Sequence, residues 1–473
     1  MFCYMPISLG VLPSVLMGIV HFRRDNMVVN IYKIKRIGKR NYSHFDRRVS
    51  LRETAHFIKN PDNIVRHAFY PFIFYEKKMV KFSKHGGRKD KVRPICYASH
   101  IDRCIYQYYS QWLNELYNVY ALNTGIDKCA IAYRINNHKS NIHFAKEVFD
   151  FIKLNENAIV IVGDFKGFFD NLDHKYLKEQ LCKIIGLDRL PEDVYSVFKS
   201  MTKYVKCNLK DILTYHGLKD TYKGIKKLNS FETVIPIEKY RDFKKGHLIK
   251  NENNYGIPQG SPLSGIFSNI YMTDFDYKMK KISEENNGIY KRYSDDFIIV
   301  IPQKSAESLK VIKDKVNNVI DETPGVFMEK DKTKYYIYSN GCIENLTSKL
   351  IPEIEDYQKV INYLGFSFDG KNITIRAKTV GKYIYRMRRK IDTIEKHGGY
   401  TKKKNRISYD DVYEKYSIKG LKKKNRKRKG NFISYVLRSK KIFEDEDGIS
   451  KIEENHMKMI RRTIKRKRKK YSV

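Results

Sequence analysis

The chain has 473 residues and carries 93 Lys and Arg against 53 Asp and Glu, which gives a formal net charge of +40. A charge of this size excludes an enzyme that acts only on small neutral substrates, and it predicts a polyanionic partner such as nucleic acid. Residues 401–473 hold 26 Lys and Arg against 9 Asp and Glu, a net of +17, whereas a merely solubilising charge would be scattered evenly. The length predicts two or three subdomains.

The first twenty residues are nearly all apolar, but Pro6, Pro13 and Gly18 interrupt them and no basic segment precedes them. We expect that this stretch is an extension docked on the protein surface, or that the true initiator methionine lies downstream, at Met27. A membrane anchor or a signal peptide is not expected. No membrane partner is expected. The seven cysteines form no CxxC pair, which argues against structural zinc and suits a reducing, cytoplasmic location.

Short basic and helical segments follow the apolar stretch. Residues 1–50 are predicted to form an N-terminal extension, because they show no clear periodicity. Residues 52–59 and 64–74 fit two short helices, or one helix broken at Pro61. The lysine-rich segment 84–91, with its two glycines, predicts a hairpin tip, although any single lysine in it fits a solvated loop equally well.

A long aromatic segment, residues 101–120, has helical spacing and contains the only tryptophan, Trp112, which predicts a core helix. A second helix is predicted over residues 141–153. The apolar run 158–162 is typical of a buried strand, and Asp164 follows it closely. We expect this acidic side chain to point into a cleft at the strand end.

A helix is predicted from about His174. The polar, lysine-rich segment 201–254 then separates this part of the chain from the next motif, and it is longer than a plain connection requires. Its part 233–237 predicts a strand, and the whole segment is either a template-guiding hairpin or a surface excursion. Residues 256–264 form a loop with glycine and proline, ahead of the apolar segment 266–272.

Two adjacent acidic residues, Asp295 and Asp296, precede the apolar run 297–301, which predicts the tip of a tight hairpin. Taken alone, such a pair is more often a solvated turn. Together with Asp164 at the end of another strand, three carboxylates can hold two Mg²⁺ ions about 4 Å apart and support an in-line phosphoryl transfer. Mn²⁺ is the alternative metal.

Most of the C-terminal part is predicted to be helical. The helices are expected at residues 306–320, from Thr379, at 432–443 and at 452–465. A strand is predicted over residues 332–338 and a hairpin over 363–368. The basic stretch 402–429 is expected to be a loop, and the acidic residues 445–447 a solvated turn.

Three motifs in this order resemble the palm motifs of reverse transcriptases, in particular the bacterial lineage of group II intron, retron and solitary defence-associated enzymes. They read GDFKGFFDNLDH from Gly163, GIPQGSPLS from Gly256 and YSDD from Tyr293. Further matches are VRPI from Val92 with Asp102-Arg103 to the fingers motif, Lys332-Thr333 to the fourth palm motif, and LGF from Leu364 to the primer grip. The resemblance covers about residues 80–390.

The resemblance implies an α+β fold shaped as a right hand, with fingers, a palm of antiparallel sheet backed by helices, and a helical thumb. The fingers are expected at residues 51–155 and the palm at 156–375, with an insertion at about 201–254. A basic thumb is expected at 376–473, and residues 1–50 remain the N-terminal extension.

The resemblance also implies a role for each site residue. Asp164, Asp295 and Asp296 are the expected catalytic metal ligands, with Asp164 and Asp295 bridging both ions and the backbone carbonyl of Phe165 completing the shell. Phe169 is expected to favour deoxynucleotides, because its ring would clash with a ribose 2′-hydroxyl. The alternative for this ring is a place in the core.

Four further residues are expected to contact the nucleotide. Gln259 matches a position near the incoming sugar and the template. Arg93 and Lys89 match triphosphate contacts, and Arg93 is the firmer of the two because a guanidinium grips phosphate with two bonds. Lys332 would protonate the departing pyrophosphate, unless it is an ordinary solvent-facing lysine.

The chain is therefore expected to be an RNA-directed DNA polymerase that uses deoxynucleoside triphosphates and yields a DNA product. The intact carboxylates argue against a non-catalytic RNA-binding scaffold, and Phe169 argues against an RNA-dependent RNA polymerase. Because nuclease motifs are absent, we expect a role in antiphage defence with a structured noncoding RNA. A retron or diversity-generating role is the alternative. The template, the priming route and the oligomeric state are left open.

Overall fold

The structure is a computed structural model that describes residues 38–83, 87–134, 139–303, 305–401, 404–421, 430–444 and 446–471, with side chains at 80–91 left out. The strands are β1 Phe72–Ser83, β2 Gly87–Tyr97, β3 Asn157–Asp164, β4 Val205–Asn208, β5 Leu248–Lys250, β6 Ile289–Tyr293, β7 Asp296–Ile301, β8 Lys334–Ser339, β9 Cys342–Asn345, β10 Ile361–Tyr363, β11 Phe366–Phe368 and β12 Ile373–Ile375.

The helices are α1 Ala55–Lys59, α2 Pro61–Val65, α3 His100–Thr124, α4 Asn141–Leu154, α5 Phe168–Asn171, α6 His174–Ile185, α7 Glu192–Thr202, α8 Leu209–Tyr215, α9 Tyr222–Leu228, α10 Ile237–His247, α11 Ser264–Tyr271, α12 Thr273–Glu284, α13 Ala306–Asp321, α14 Thr347–Leu350, α15 Ala377–His397, α16 Tyr409–Tyr416, α17 Phe432–Ile442 and α18 Asp447–Tyr471. The chain divides into two compact units. The first is formed by the described residues of Met1–Gly125 and Gly167–Thr273, and the second by those of Ile126–Lys166 and Asp274–Val473.

The first unit is built around a four-stranded sheet with the order β2-β1-β4-β5. β1 and β2 form a long antiparallel hairpin, whereas β4 runs parallel to β1. The longest helix of this unit, α3, starts at an N-cap where the Ser99 hydroxyl accepts a hydrogen bond from the Asp102 amide, and it ends at Gly125 in the left-handed conformation. Trp112 on α3 is buried, as predicted for a core residue.

The second unit contains a five-stranded antiparallel sheet with the order β6-β7-β3-β8-β9. β3, the strand that ends in Asp164, is central and pairs with β7 on one side and β8 on the other. One face of this sheet packs against α4 and the small sheet β10-β11-β12 in one apolar core. The backbone at Asp164 is therefore held from both sides.

Helices α15 to α18 pack together in a further apolar cluster of the second unit. Tyr383, Met387 and Ile391 lie one helical turn apart on α15, and they pack with Val412 of α16 and Ile460 of α18. Exposed cations lie on these helices, among them Arg389, Lys396 and Arg461.

The predicted α+β class with antiparallel sheets is confirmed. The helices at 101–120, 141–153 and 306–320 and the hairpin at 363–368 are also confirmed. The boundaries proposed for fingers, palm and thumb remain predictions. The N-terminal residues 1–37, on which the expectation of a docked extension rests, lie outside the described residues.

Three local predictions are wrong. The helix expected over residues 64–74 ends at Val65, and a strand begins at Phe72 because its aromatic and β-branched residues pair with two neighbouring strands. The segment 201–254 holds helices α8 to α10, and Val234 and Ile235 enter an apolar core instead of forming a strand. The basic stretch 402–429 contains α16, which is stabilised by a capping box at Ser408.

The acidic residues 445–447 do not form a free turn in the part that is described. Glu446 pairs with Lys153, and Asp447 begins α18. Among the described residues, no helix combines the length and the apolar character that crossing a membrane requires.

Candidate active site

The hairpin formed by β6 and β7 turns through two residues, Ser294 and Asp295. Tyr293 and Asp296 face each other as the last paired residues of the two strands. Ser294 has a φ of 62°, a conformation that a residue with a side chain adopts only when its surroundings hold it there. Two groups contact it: Tyr133 Oη lies 3.1 Å from its Oγ, and Arg292 donates a hydrogen bond to its carbonyl oxygen at 3.0 Å.

The register of the central sheet brings the separate acidic segments together. Asp164 in β3 is paired directly with Asp296 in β7, and the Phe165 amide donates a hydrogen bond to the Asp295 carbonyl oxygen at 3.0 Å. The strand-end aspartate and the acidic hairpin predicted from the sequence are therefore neighbours.

Glycine at position 163 allows β3 and β7 to pair closely beside the carboxylates. Gly163 is paired with Phe297, and a Cβ atom at position 163 would lie 2.1 Å from Cε1 of the Phe297 ring. That ring is fully buried and stacks on Phe165 with ring centroids 5.3 Å apart, while Phe275 meets it at 6.4 Å. The aromatic cluster beneath the carboxylates thus takes the space that a side chain at 163 would need.

The carboxylates lie close enough to influence one another. Asp296 remains accessible at the end of its strand. Desolvation, followed by the negative charges of Asp295 and Asp164, raises the pKa of Asp296 to about 7. A pKa that burial and neighbouring charges perturb together is typical of a functional site.

Lys332 supplies one positive charge to this cluster. Its ammonium group donates a hydrogen bond to Asp164 Oδ1. Desolvation alone would lower the pKa of Lys332, but the hydrogen bond to Asp164 and the charge of that carboxylate raise it overall. The loop that carries Lys332 is fixed to β3, since the Glu329 amide donates to the Asp164 carbonyl oxygen at 2.7 Å.

The donor atoms suit Mg²⁺, which prefers carboxylate oxygens, phosphate oxygens and water. In the described part of the chain, however, no group of three His, Cys, Asp or Glu side chains surrounds one point as a complete metal site. Lys332 occupies one oxygen of Asp164 instead. The oxygen donors of the three carboxylates nevertheless fit a divalent cation.

The residues predicted to contact the nucleotide belong to the first unit, apart from Phe165 and Lys332. Phe168 is buried, whereas Phe169 next to it is only half-buried. Phe168 therefore fills the core and leaves the Phe169 ring accessible. The role of Phe169 in sugar selection stays a prediction.

The loop with Gln259 is seated tightly by two glycines. The Cys96 amide donates to the Gln259 carbonyl oxygen at 2.8 Å, and a Cβ atom at Gly260 would lie 2.5 Å from the Cys96 carbonyl oxygen. Gly256 has a φ of 87°, and a Cβ atom there would lie 2.9 Å from the Asp170 carbonyl oxygen. The Gln259 amide reaches the Asp170 carboxylate at 3.5 Å, so its position is coupled to α5, the short helix that also contains Phe169.

The two predicted triphosphate contacts both lie on β2. Arg93 is exposed and its strand pairs it with Lys77 of β1. Lys89 also lies on this strand, and its side chain is outside the described residues. Their roles stay predictions.

Residues 220–368 match the family model described as reverse transcriptase (RNA-dependent DNA polymerase). This stretch is similar to a reverse transcriptase domain. The matched range contains Gln259, Asp295, Asp296 and Lys332, and it confirms the predicted enzyme class, an RNA-directed DNA polymerase and hence a nucleotidyltransferase. Asp164 lies outside it.

No curated protein matches the chain. Among solved structures, an apo telomerase from Candida tropicalis, truncated from its C-terminal domain, is similar at 16% identity and a TM-score of 0.40, over 63% of this chain and 54% of that one. A telomerase from Candida albicans in complex with a telomeric RNA fragment is similar at 13% identity and a TM-score of 0.38, over 88% of this chain and 67% of that one. The chain thus spans about half the length of the first of these.

One feature of this region was not predicted from the sequence: a buried ion pair below the β6–β7 hairpin. Arg292 and Asp276 are both fully buried and bonded to each other. A signal for it exists in β6, where Tyr290 and Arg292 alternate onto the buried face of the strand. An arginine on that face requires an acidic partner.

Proposed function

We propose that the chain is a polymerase that extends a DNA strand on an RNA template, with Asp164, Asp295 and Asp296 holding two Mg²⁺ ions. The proposal is supported above all by the pairing of Asp164 with Asp296. Asp164 lies outside the family match, so the sheet register is an observation independent of it. Mn²⁺ is the alternative metal, because the same oxygen donors accept it.

The bound metal ions would lower the pKa of the primer 3′-hydroxyl and offset the charge of the reacting phosphates. The chain itself supplies the oxygen ligands: the three carboxylates and, as proposed from the resemblance, the backbone carbonyl of Phe165. Lys332 is the proposed proton donor to the pyrophosphate. Its ammonium group is charged at neutral pH, so it also offsets the negative charge of the leaving group.

The experiment that tests this proposal is primer extension by the purified full chain on an RNA template with Mg²⁺. We expect incorporation of deoxynucleotides that stops when the cation is chelated. Exclusive incorporation of ribonucleotides would instead identify an RNA-dependent RNA polymerase. RNA binding without any incorporation would identify a non-catalytic scaffold.

A basic cleft among helices α15, α16 and α17 supports an RNA partner. It has a volume of about 840 Å³, and its basic lining residues are Lys382, Arg386, Arg389, Lys390 and Lys415. Asp411 and Glu414 also line it. Burial, and next the charge of Lys415, lower the pKa of Lys390. An anionic ligand stabilises cations that repel one another in this way. For an enzyme that copies RNA, the phosphate backbone of the template is such a ligand.

Removing positive charge from the cleft should weaken RNA binding. Changing Arg386, Lys390 and Lys415 together to Gln should weaken binding of a structured RNA about tenfold, and the plot of log affinity against log salt should become shallower by about 2. Affinity measured across a salt series checks both values.

The matched control changes Lys310, Lys315 and Lys371 to Gln, because it removes the same charge from side chains of the second unit that lie outside the cleft and are exposed. It should cost less affinity. Equal losses in the two triple variants would contradict a site at the cleft and leave only general attraction between opposite charges.

We further propose, from the resemblance of the three palm motifs, that the enzyme is a solitary bacterial reverse transcriptase that acts in antiphage defence with its own noncoding RNA. A retron or diversity-generating role is the alternative. Sequencing the RNA that co-purifies with the chain, together with the DNA made from it, separates these settings.

A further inference from the structure

Arg292 is the largest charged side chain in the interior of the second unit. Its Nε donates to Asp276 Oδ1 at 2.7 Å and its Nη2 donates to Asp276 Oδ2 at 2.6 Å, so the two groups form a bidentate pair. Both side chains are 0% exposed. Tyr290 Oη donates a further hydrogen bond to Asp276 Oδ1 at 2.8 Å. The buried carboxylate is therefore well satisfied.

The remaining nitrogen of the guanidinium reaches the catalytic turn. Nη1 donates to the carbonyl oxygen of Ser294 at 3.0 Å. The backbone of Arg292 is fixed as well, since its amide donates to the Cys129 carbonyl oxygen at 2.8 Å and its own carbonyl accepts from the Ile131 amide at 3.0 Å. The Arg292 side chain thus joins helix α12 to the turn that carries Asp295, while its backbone joins β6 to residues 129–131.

We propose that Arg292 is a positioning residue: its guanidinium holds the Ser294 carbonyl, and thereby keeps the carboxylates of Asp295 and Asp296 in place opposite Asp164. The inference rests on the proposed polymerase function for its consequence in catalysis. Its structural part, the restraint of the turn, is independent of that function.

A purely structural role for the ion pair is the competing explanation. A buried ion pair is weak evidence for stability, because well-packed apolar residues of similar volume often replace it without loss. Apolar residues cannot donate a hydrogen bond to the Ser294 carbonyl, however. A lysine can pair with Asp276, but its single nitrogen cannot replace the planar fork that binds Asp276 twice and the turn once.

Two variants separate these roles. Arg292→Lys keeps the charge, and the double variant Arg292→Met with Asp276→Leu removes both charges, so that no unpaired carboxylate remains buried. In both, hydrogen exchange of the turn amides, measured without metal or nucleotide, should accelerate about tenfold through loss of the one hydrogen bond. The kcat for deoxynucleotide incorporation should fall about 10-fold to 100-fold, with KM for the nucleotide nearly unchanged, because misplaced groups slow the reacting step.

Val300→Ala is the matched control. Val300 is fully buried in β7, four residues beyond Asp296, and its truncation destabilises the same sheet without touching the turn. Turn exchange and kcat should stay near the wild-type values in this variant.

Wild-type exchange and wild-type kcat in either Arg292 variant would overturn the inference. So would equal effects in the Arg292 variants and in Val300→Ala, since the pair would then act only through stability. If the wild-type chain incorporates no nucleotide, the proposed function fails, whereas the exchange comparison still decides whether Arg292 restrains the turn.

Discussion

Changing Asp295 and Asp296 together to alanine is expected to lower deoxynucleotide incorporation by about 10³-fold or more, since both charges that the turn contributes to the transition state are lost. Folding should be retained. Asp296 is exposed and lies beside Asp164 and Asp295, so the change removes charge repulsion and leaves the core intact. Single-nucleotide incorporation rates and thermal unfolding of the same preparations measure the two effects.

Glu353→Ala combined with Glu355→Ala is the matched control for charge. Both glutamates are exposed in the second unit, and the change in net charge is the same. Incorporation should remain near the wild-type rate in this variant. Undiminished incorporation by the aspartate variant would show that the hairpin does not hold the catalytic metal ions.

Changing Phe169 to alanine is expected to relax discrimination against ribonucleotides by about 100-fold, a size typical of steric selection between closely similar substrates. The physical reason is that a half-buried ring can contact a ligand, and its removal leaves room for a 2′-hydroxyl. The ratio of kcat/KM for a deoxynucleotide to that for the matching ribonucleotide measures the effect.

Phe168 provides an internal comparison, because it is the adjacent phenylalanine and it is buried. Phe168→Leu should lower the unfolding temperature and leave sugar discrimination near the wild-type value, since it keeps an apolar side chain beside the Phe169 ring and leaves that ring present. If Phe169→Ala still excludes ribonucleotides, sugar selection depends on another residue.

Elements with their own periodicity could be predicted well from the sequence. Leu309, Ile312, Val316 and Val319 repeat at helical spacing, and all four are buried on α13 as expected. The strand predicted at Val234 and Ile235 was wrong. Their β-branched side chains favour a strand locally, yet both residues pack into the apolar core with Ile212 and Phe243 and belong to none of the strands of the described chain.

The candidate site was predictable to the extent that its residues stand at the ends of elements. Asp164 follows a buried strand and Asp295 lies in a hairpin turn, so their chemistry could be read locally. The hydrogen bond from Lys332 to Asp164 joins residues 168 positions apart and leaves no local pattern. The bond from Arg292 to Asp276 likewise depends on how a helix packs behind a strand.

Gly163 limits the order in which this protein can change. Replacing glycine by alanine in regular structure often stabilises a protein, because it reduces the freedom of the unfolded chain. At position 163 the same change meets the Phe297 ring at 2.1 Å. A methyl group can be accepted there only after the ring at 297 has become smaller. A substitution of Gly163 must therefore be preceded by a substitution of Phe297 with a smaller residue. Until position 297 changes, glycine has to be retained at position 163.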